Sequence, residues 1–523
     1  MGKYSEEFKA YIEDALTNGH NITQATKQAC LEFGIPYEDQ VRRTMSKHLE
    51  RTGVTDSKEL PESDMFLEAQ KRELDKTKQR FIVSWCQSDT EIHEQFMDNI
   101  EAYAKEIDAE ISIIAGRYKN PTSLNSSKRV KEKEERNSWS PRIEKYLDAN
   151  RHKVHKHLCI LSDLKIQPTA STPLSGINGL TGLESCVVGH PRVHLKSLPI
   201  LDGYPHKLLV TTGAISLQNY TDTKSGKKGE FHHTLGFVII ELDGDDFHIR
   251  QVTADDDGSF YDLHYNVTRG SIRETSSTVM VFGDLHLGET NDDVLDVSFR
   301  MAEDLNCEDI ILHDVFNGHS ISHHERNQPF QVMAREQDGS GDLMLELNNM
   351  AEFFDRYSDF NFVMVRSNHC EFLDRWLNDV DWRKATNKST YLELAYVLKN
   401  DIIGKGIIPA ILNKYQVTNV KCLGIDESYR VMNIECGVHG HIGTNGSRGS
   451  AIQFKDMNTK NITGHTHSPL RIDGHVCVGT LTHLRVGYNK GLSSWGHANA
   501  IIYPNGKMQL VIINKDTYKY TTL

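Results

Sequence analysis

No two cysteines of this chain form a C-x-x-C pair, and all nine are scattered singly. This argues against zinc fingers and a disulfide framework, and for a reducing, cytoplasmic setting. No run of eighteen apolar residues occurs, so no membrane-spanning helix is expected and a membrane is not among the expected partners. The first residues, Met1-Gly2-Lys3-Tyr4-Ser5-Glu6-Glu7, are polar and acidic, unlike a secretory signal. Glu6 stands where a myristoylation motif needs Ser or Thr. Positive charge is also in short supply, with 59 Lys and Arg against 72 Asp and Glu and a net charge of −13. A nucleic-acid partner normally calls for the reverse balance, although bound cations can supply local positive charge.

The 523 residues are too many for one core, and two or three domains are expected. Residues 1–52 read as three short helices, Tyr4 to Leu16, Ile22 to Phe33 and Tyr37 to Leu49. Apolar residues recur at helical spacing in the first (Phe8, Tyr11, Ile12, Ala15), and the second stops at Gly34-Ile35-Pro36. The third carries Arg42, Arg43 and Lys47, with Arg51 just beyond it. Helix, glycine turn and basic helix resemble a helix-turn-helix module that would lay these four residues on nucleic acid. A helical adaptor for self-association, making the protein a homo-oligomer, accounts for the same pattern.

Residues 53–79, rich in Lys, Glu, Asp and Ser, read as a charged linker. Residues 80–275 read as an α/β domain of unknown role. Phe81-Ile82-Val83 is a strand candidate, Glu91 to Lys105 an amphipathic helix and Ile111 to Gly116 a second strand, with a charged loop at Asn120 to Asn137. Further strands are expected at Lys207 to Thr211, Gly236 to Glu241 and Phe247 to Val252. Lys224-Ser225-Gly226-Lys227-Lys228-Gly229 lacks the spacing of a phosphate loop and reads as a flexible basic hairpin.

The chemistry is concentrated in residues 276–523, where five motifs follow one another, four of them directly after an apolar strand candidate. They are Gly283-Asp284-Leu285-His286, His313-Asp314-Val315-Phe316-Asn317, Ser367-Asn368-His369-Cys370-Glu371, Gly437-Val438-His439-Gly440-His441 and Gly464-His465-Thr466-His467. Hydrolysis of a phosphate ester needs a hydroxide nucleophile at neutral pH and neutralisation of the phosphoryl oxygens. Two cations roughly 3.5–4 Å apart can supply both. One carboxylate must bridge them, with imidazoles, a further carboxylate and an amide oxygen completing the shells. Such mixed oxygen and nitrogen donors suit manganese, iron or zinc.

The order of the five motifs resembles the calcineurin-like metallophosphoesterase family over about residues 278–515. The resemblance implies a two-sheet β-sandwich flanked by helices (αββα). It implies Asp284, His286 and His467 as ligands of one metal, Asp314 as the bridge, and Asn368, His439 and His465 as ligands of the other. It implies His369 as the general acid. His313 and Ser367 both stand where the family usually has Gly, so the surroundings of the ligands differ. The Asp-Val-Phe-Asn form of the second motif is similar to the nuclease branch, the SbcCD-type repair nucleases. A helical head before a phosphoesterase also resembles phage-encoded nucleases that degrade host DNA early in infection, which would place the protein in the host cytoplasm.

Cys370 and Cys436 flank ligands and are expected to be buried structural thiols. The long insert after the second motif, with Ser322-His323-His324-Glu325-Arg326 and Gln337-Asp338-Gly339-Ser340-Gly341, either shapes substrate access or is a solvated excursion. Strands at Gly474 to Thr480, His483 to Tyr488, Ala498 to Tyr503 and Met508 to Ile513 would complete the second sheet. His483 and His497 are not expected to be ligands. The expected function is a metal-dependent deoxyribonuclease, manganese being the preferred cation and DNA the partner. The alternatives are a phosphomonoesterase acting on phosphoprotein or nucleotide, and a DNA-binding regulator with a degenerate phosphoesterase domain.

Overall fold

The structure, a computed structural model, describes residues 4–17, 22–52, 72–118, 139–322, 328–400, 405–457, 459–487 and 489–523. Most of the expected linker, the charged loop at 120–137 and His323 to Arg326 of the insert lie outside the described residues, as does the side chain of Arg51. The chain divides into an amino-terminal unit ending by residue 68 and a larger unit reaching Leu523. No helix among the described residues is long and apolar enough to cross a membrane.

The amino-terminal unit has three helices, α1 (Glu6–Thr17), α2 (Ile22–Glu32) and α3 (Asp39–Thr52). Phe8, Ile12, Ala25, Ala29, Val41, Met45 and Leu49 meet in their core. After α2 the chain reverses at Gly34, whose φ of 63° is the left-handed value glycine adopts freely, and Ile35 N–H closes onto the Cys30 carbonyl at 2.9 Å. On α3 the inward positions Val41, Met45 and Leu49 leave Arg43 and Lys47 exposed and Arg42 half-buried.

The larger unit is mixed α/β, built on two wide sheets with a short three-stranded one beside them. The first has eleven strands among the described residues. One half of it runs Val420–Cys422, Asn361–Met364, Asp309–Leu312, Val279–Val281, His497–Ile502, Met508–Ile513. The other half continues Asp246–Thr253, Gly236–Asp243, Arg80–Gln87, Ala109–Gly116, Leu147–Asp148. The second sheet has ten, and again strands from before residue 275 (such as His194–Leu198) pair with strands from after it (Leu470–Ile472).

Period-two alternation sorts the side chains of the first sheet. Val279, Val281, Ile311 and Val363 point into a core shared with Ile462, Val476 and Val210 of the second sheet. Met280, Ile310, Leu312, Phe362 and Met364 point the other way, against Met301, Leu347 and Phe354 of the helices Asp292–Asp304 and Leu343–Arg356.

A buried ionic knot ties the sheet to its neighbours. Arg250, 1% exposed, donates to Glu241 at 2.6 Å and to both oxygens of Asp262 at 2.7 and 2.8 Å. Tyr103 and Gln509 donate to the same Asp262 carboxylate at 2.6 and 2.8 Å.

Three expectations are corrected. Residues 224–229 are not a flexible hairpin but open the helix Lys224–His232, capped by Thr223, whose hydroxyl accepts from Gly226 N–H at 3.1 Å. Its glycines are packing positions: a Cβ at Gly226 would lie 2.0 Å from the Thr221 carbonyl, and one at Gly229 2.9 Å from the Tyr220 ring. The insert after the second motif carries the helix Pro329–Asp338. Of the four last strands, only His475–Cys477 joins the second sheet. His497–Ile502 and Met508–Ile513 extend the first, beside Val279–Val281, and residues 483–487 form no strand. His497 is buried, its Nδ1 2.9 Å from the Thr480 carbonyl.

Candidate metal centre

Each of the five motifs follows the end of a strand. Asp284 and His286 follow Val279–Val281, Asp314 follows Asp309–Leu312, and Asn368 follows Asn361–Met364. His439 follows Ile434–Glu435, while His465 and His467 follow Asn461–Thr463. Four of these residues have left-handed backbone: His286 at φ 45°, Asp314 at 46°, His465 at 73° and His467 at 56°. Such a conformation costs a non-glycine residue about 1–3 kcal/mol and persists only where the surroundings impose it.

The surroundings are a lattice of loop-to-loop hydrogen bonds. The N–H groups of Leu285, His286 and Leu287 donate to the carbonyls of His313, Asp314 and Val315 at 3.1, 2.7 and 3.1 Å. Gly464 N–H donates to the His439 carbonyl at 2.8 Å, and His465 N–H to Asp284 Oδ2 at 2.7 Å. Glycine at 464 is a steric requirement, since a Cβ there would fall 2.1 Å from Asp284 Oδ1.

Two groups of donors result, and Asp314 belongs to both. Asp284, His286, Asp314 and His467 converge on one side, and Asp314, His439 and His465 on the other. His467 Nε2 lies 3.0 Å from Asp284 Oδ2 and 3.1 Å from His286 Nε2. Asp314 Oδ2 is 3.0 Å from His439 Nε2 and 3.5 Å from His286 Nε2. Asn368 Oδ1 stands 3.2 Å from His439 Nε2. All seven expected ligands therefore lie in this one region.

The donor chemistry fits a metal ion. Asp284 Oδ1 and Asp314 Oδ1 are buried with no hydrogen-bond partner, a costly arrangement for carboxylates unless a positive charge is near. Burial pushes the imidazole of His286 down to about 3 and that of His465 to about 4, leaving both neutral, with lone pairs for coordination. Burial would raise the carboxyl of Asp314, but the neighbouring His439, which also hydrogen-bonds it, outweighs burial and holds it well below the usual range. Asp314 in turn outweighs the burial of His439 and raises it, favouring a proton that a cation would displace.

The first turn of the helix Asn368–Asp379 supplies Asn368 and His369. Ser367 is its N-cap, accepting from Cys370 N–H at 3.4 Å, so the Ser at this position has a local structural use. His369 Nδ1 is hydrogen-bonded to the carbonyl of Asn317, and its ring lies 4.5 Å from that of His286. Because a carbonyl only accepts, Nδ1 carries the hydrogen and Nε2 is the nitrogen left to exchange a proton. Cys370 and Cys436 are buried, and burial raises their thiols to about 11 and about 12.

No family model matches the chain, and no solved structure does. Protein A1 of Escherichia phage T5 is 30% identical over 461 residues, which span 83% of this chain and 81% of that protein. The chain belongs to the Protein A1 family. For this member of the Protein A1 family, three residues at the centre escape a reading of the motifs alone. His441, the last residue of the fourth motif, contacts Glu371 at 3.3 Å and holds that carboxyl below its ordinary range. Trp495 sets its ring 4.2 Å from His467. His313 backs His439 from the side away from Asp314. The spacing of His441 from His439 was a usable signal, whereas Trp495 lies 28 residues after His467 in a stretch with no motif.

Proposed function

We propose that the chain is a metal-dependent deoxyribonuclease, hydrolysing DNA phosphodiesters at a centre of two divalent cations, manganese the best suited and iron or zinc next. The observation that carries this reading is that Asp314 is shared by two donor groups whose other members are imidazoles and one carboxylate. The five motifs in order support placing the fold with the calcineurin-like metallophosphoesterases of the nuclease branch. A phage relative fits a phage-encoded protein.

In this reading Asp284, His286 and His467 hold one cation, Asn368, His439 and His465 the other, and Asp314 both. Bound there, the cations supply the Lewis acidity that activates water and neutralises the phosphoryl oxygens. His369 presents Nε2 to the leaving oxygen while the Asn317 carbonyl fixes its Nδ1–H. Its ring contact with His286 keeps it at the edge of the donor cluster. Arg42, Arg43, Lys47 and Arg51 add phosphate contacts from the amino-terminal unit.

Plasmid and linear DNA incubated with the protein and manganese test the reading. Cleavage dependent on the added cation is expected. Hydrolysis of a phosphomonoester but neither of DNA nor of a small phosphodiester would replace it with a phosphomonoesterase.

A further inference from the structure

Two parts of the larger unit, residues 80–253 and 279–513, repeat one another strand for strand. In the first sheet five strands of each correspond, from Asp246–Thr253 out to Leu147–Asp148 and from Met508–Ile513 out to Asn361–Met364. Both sets are joined antiparallel, antiparallel, parallel, parallel. In the second sheet the sets run from His194–Leu198 out to Arg151–His155 and from Leu470–Ile472 out to Arg430–Val431. Both are joined antiparallel, parallel, parallel, antiparallel. The repeats meet through equivalent strands, Asp246–Thr253 beside Met508–Ile513 and His194–Leu198 beside Leu470–Ile472, each pair antiparallel, as about an internal twofold axis.

Register carries the comparison to single residues. Phe81 pairs with Ile240 as Val279 does with Ile502, and Val83 with Ser112 as Val281 does with Ile311. Counting onward from these pairs, Cys86 takes the place of Asp284 and Ala115 that of Asp314. Gly189-His190-Pro191-Arg192 follows Ser185–Val188 as Gly464-His465-Thr466-His467 follows Asn461–Thr463, which puts Arg192 in the place of His467. Both glycines are needed for space, since a Cβ at Gly189 would fall 2.5 Å from the Trp85 ring. The earlier repeat has the fold without the donors, and among the described residues the donor groups lie in the later one.

The earlier repeat nevertheless reaches the centre. The turn between its strands His194–Leu198 and Lys207–Thr211 lies against the loop that carries Trp495. Ile200 and Ser493 exchange backbone hydrogen bonds at 2.9 Å each, and Ser197 Oγ donates to the Ser494 carbonyl at 2.8 Å. The His206 ring occupies the space beside Gly496, where a Cβ would fall 2.4 Å from it. Gly496 N–H in turn donates to the His467 carbonyl at 3.0 Å, and the half-buried Trp495 sets its ring 4.2 Å from that of His467. The part of the indole left in solvent is a stacking surface beside the donors. Bases of a DNA strand stack on such a ring whatever the charge of the protein, which suits a chain of net charge −13.

We propose that residues 80–253 are a donor-free repeat of the fold that serves the centre as a positioning partner, its turn at 199–206 holding Trp495 to stack on a base of the DNA being cleaved. The proposal rests on the deoxyribonuclease reading, and the substrates of the test separate the two.

The full-length protein with manganese is assayed on a single-stranded oligodeoxynucleotide and on an abasic strand of equal length. Wild type is compared with Trp495→Ala, Trp495→Phe and a form with residues 200–204 replaced by two glycines. Manganese affinity and thermal unfolding are measured for each, and Ser197→Ala takes the place of the shortened form if that form does not fold. Wild type is expected to show a KM about 10–100-fold lower for the strand with bases. Trp495→Ala and the shortened turn should lose that preference, with manganese affinity and kcat on the abasic strand within a few-fold of wild type. Trp495→Phe, which keeps a ring, should retain most of it. A preference that survives Trp495→Ala overturns the proposal. Equal loss on both strands with weakened manganese binding also overturns it, leaving Trp495 a support for His467. A wild-type preference in the shortened form, or in Ser197→Ala where it stands in, overturns the role of the earlier repeat. Wild type that cleaves neither strand overturns the deoxyribonuclease reading itself.

Discussion

Asp314 Oδ2 lies 3.0 Å from His439 Nε2 and 3.5 Å from His286 Nε2, one contact to each of the two donor groups that share this carboxylate. A residue common to both groups and a residue beside only one of them must respond differently to mutation.

Asp314→Ala is therefore expected to lose both cations, whereas His369→Ala keeps them and loses turnover by about 10²–10⁴-fold. Elemental analysis of the purified variants, paired with phosphodiester kinetics, checks this. Equal metal loss in the two would make His369 a structural residue.

Gly464→Ala sets a methyl group where Asp284 Oδ1 now lies 2.1 Å away. The expected outcome is a folded protein with weakened metal binding, because the clash falls on a ligand rather than on the shared core between the sheets. Far-ultraviolet circular dichroism and manganese titration together decide it. Wild-type affinity would show that the loop shifts without moving Asp284.

The knot at Arg250 carries a stability prediction remote from the centre. Arg250→Ala leaves two buried carboxylates without their cation and is expected to destabilise the unit by about 3–5 kcal/mol. Burial pushes Asp262 and Glu241 upward, but Arg250 more than offsets it and both sit below their ordinary range. Depressed carboxyls stabilise the fold above their unfolded values and cease to do so as pH falls through the folded ones. Stability from this source should hold at neutral pH and drop below about pH 4. Denaturant unfolding of wild type and Arg250→Met across pH 3–7 checks the sign, with the variant expected to show the weaker acid dependence.

In the amino-terminal unit, Arg43 and Lys47 lie exposed on the face of α3 opposite Val41, Met45 and Leu49. The quadruple variant Arg42→Ala, Arg43→Ala, Lys47→Ala and Arg51→Ala is expected to bind DNA more weakly. Its slope of log affinity against log salt should fall by about one per lost phosphate contact. Hydrolysis of a small phosphodiester should be unchanged. Unaltered DNA affinity with a smaller mass by light scattering would assign the module to self-association.

How much of this was legible in the sequence varies with the range of the interactions involved. The donor residues could be named because the five motifs keep the order of the family they resemble, four of them directly after an apolar strand candidate, and short-range order survives in a linear reading. The sharing of both sheets by residues 80–275 and 276–523 could not be seen, because the pairing of Leu470–Ile472 with His194–Leu198 spans some 270 residues without a local mark. The helix Lys224–His232 was hidden by its glycines, which signal flexibility in a sequence and close packing in the fold. His313 was visible only as a departure from the usual Gly, and its contact with His439 depends on loops that meet in space.

The most direct test of the central claim is metal content measured together with phosphodiester hydrolysis on one preparation. After exhaustive dialysis against EDTA the protein should hold no divalent cation by elemental analysis and hydrolyse nothing. Added manganese should bind at two ions per chain and restore hydrolysis of both a small phosphodiester and DNA. Full turnover in the dialysed, metal-free protein would contradict the account.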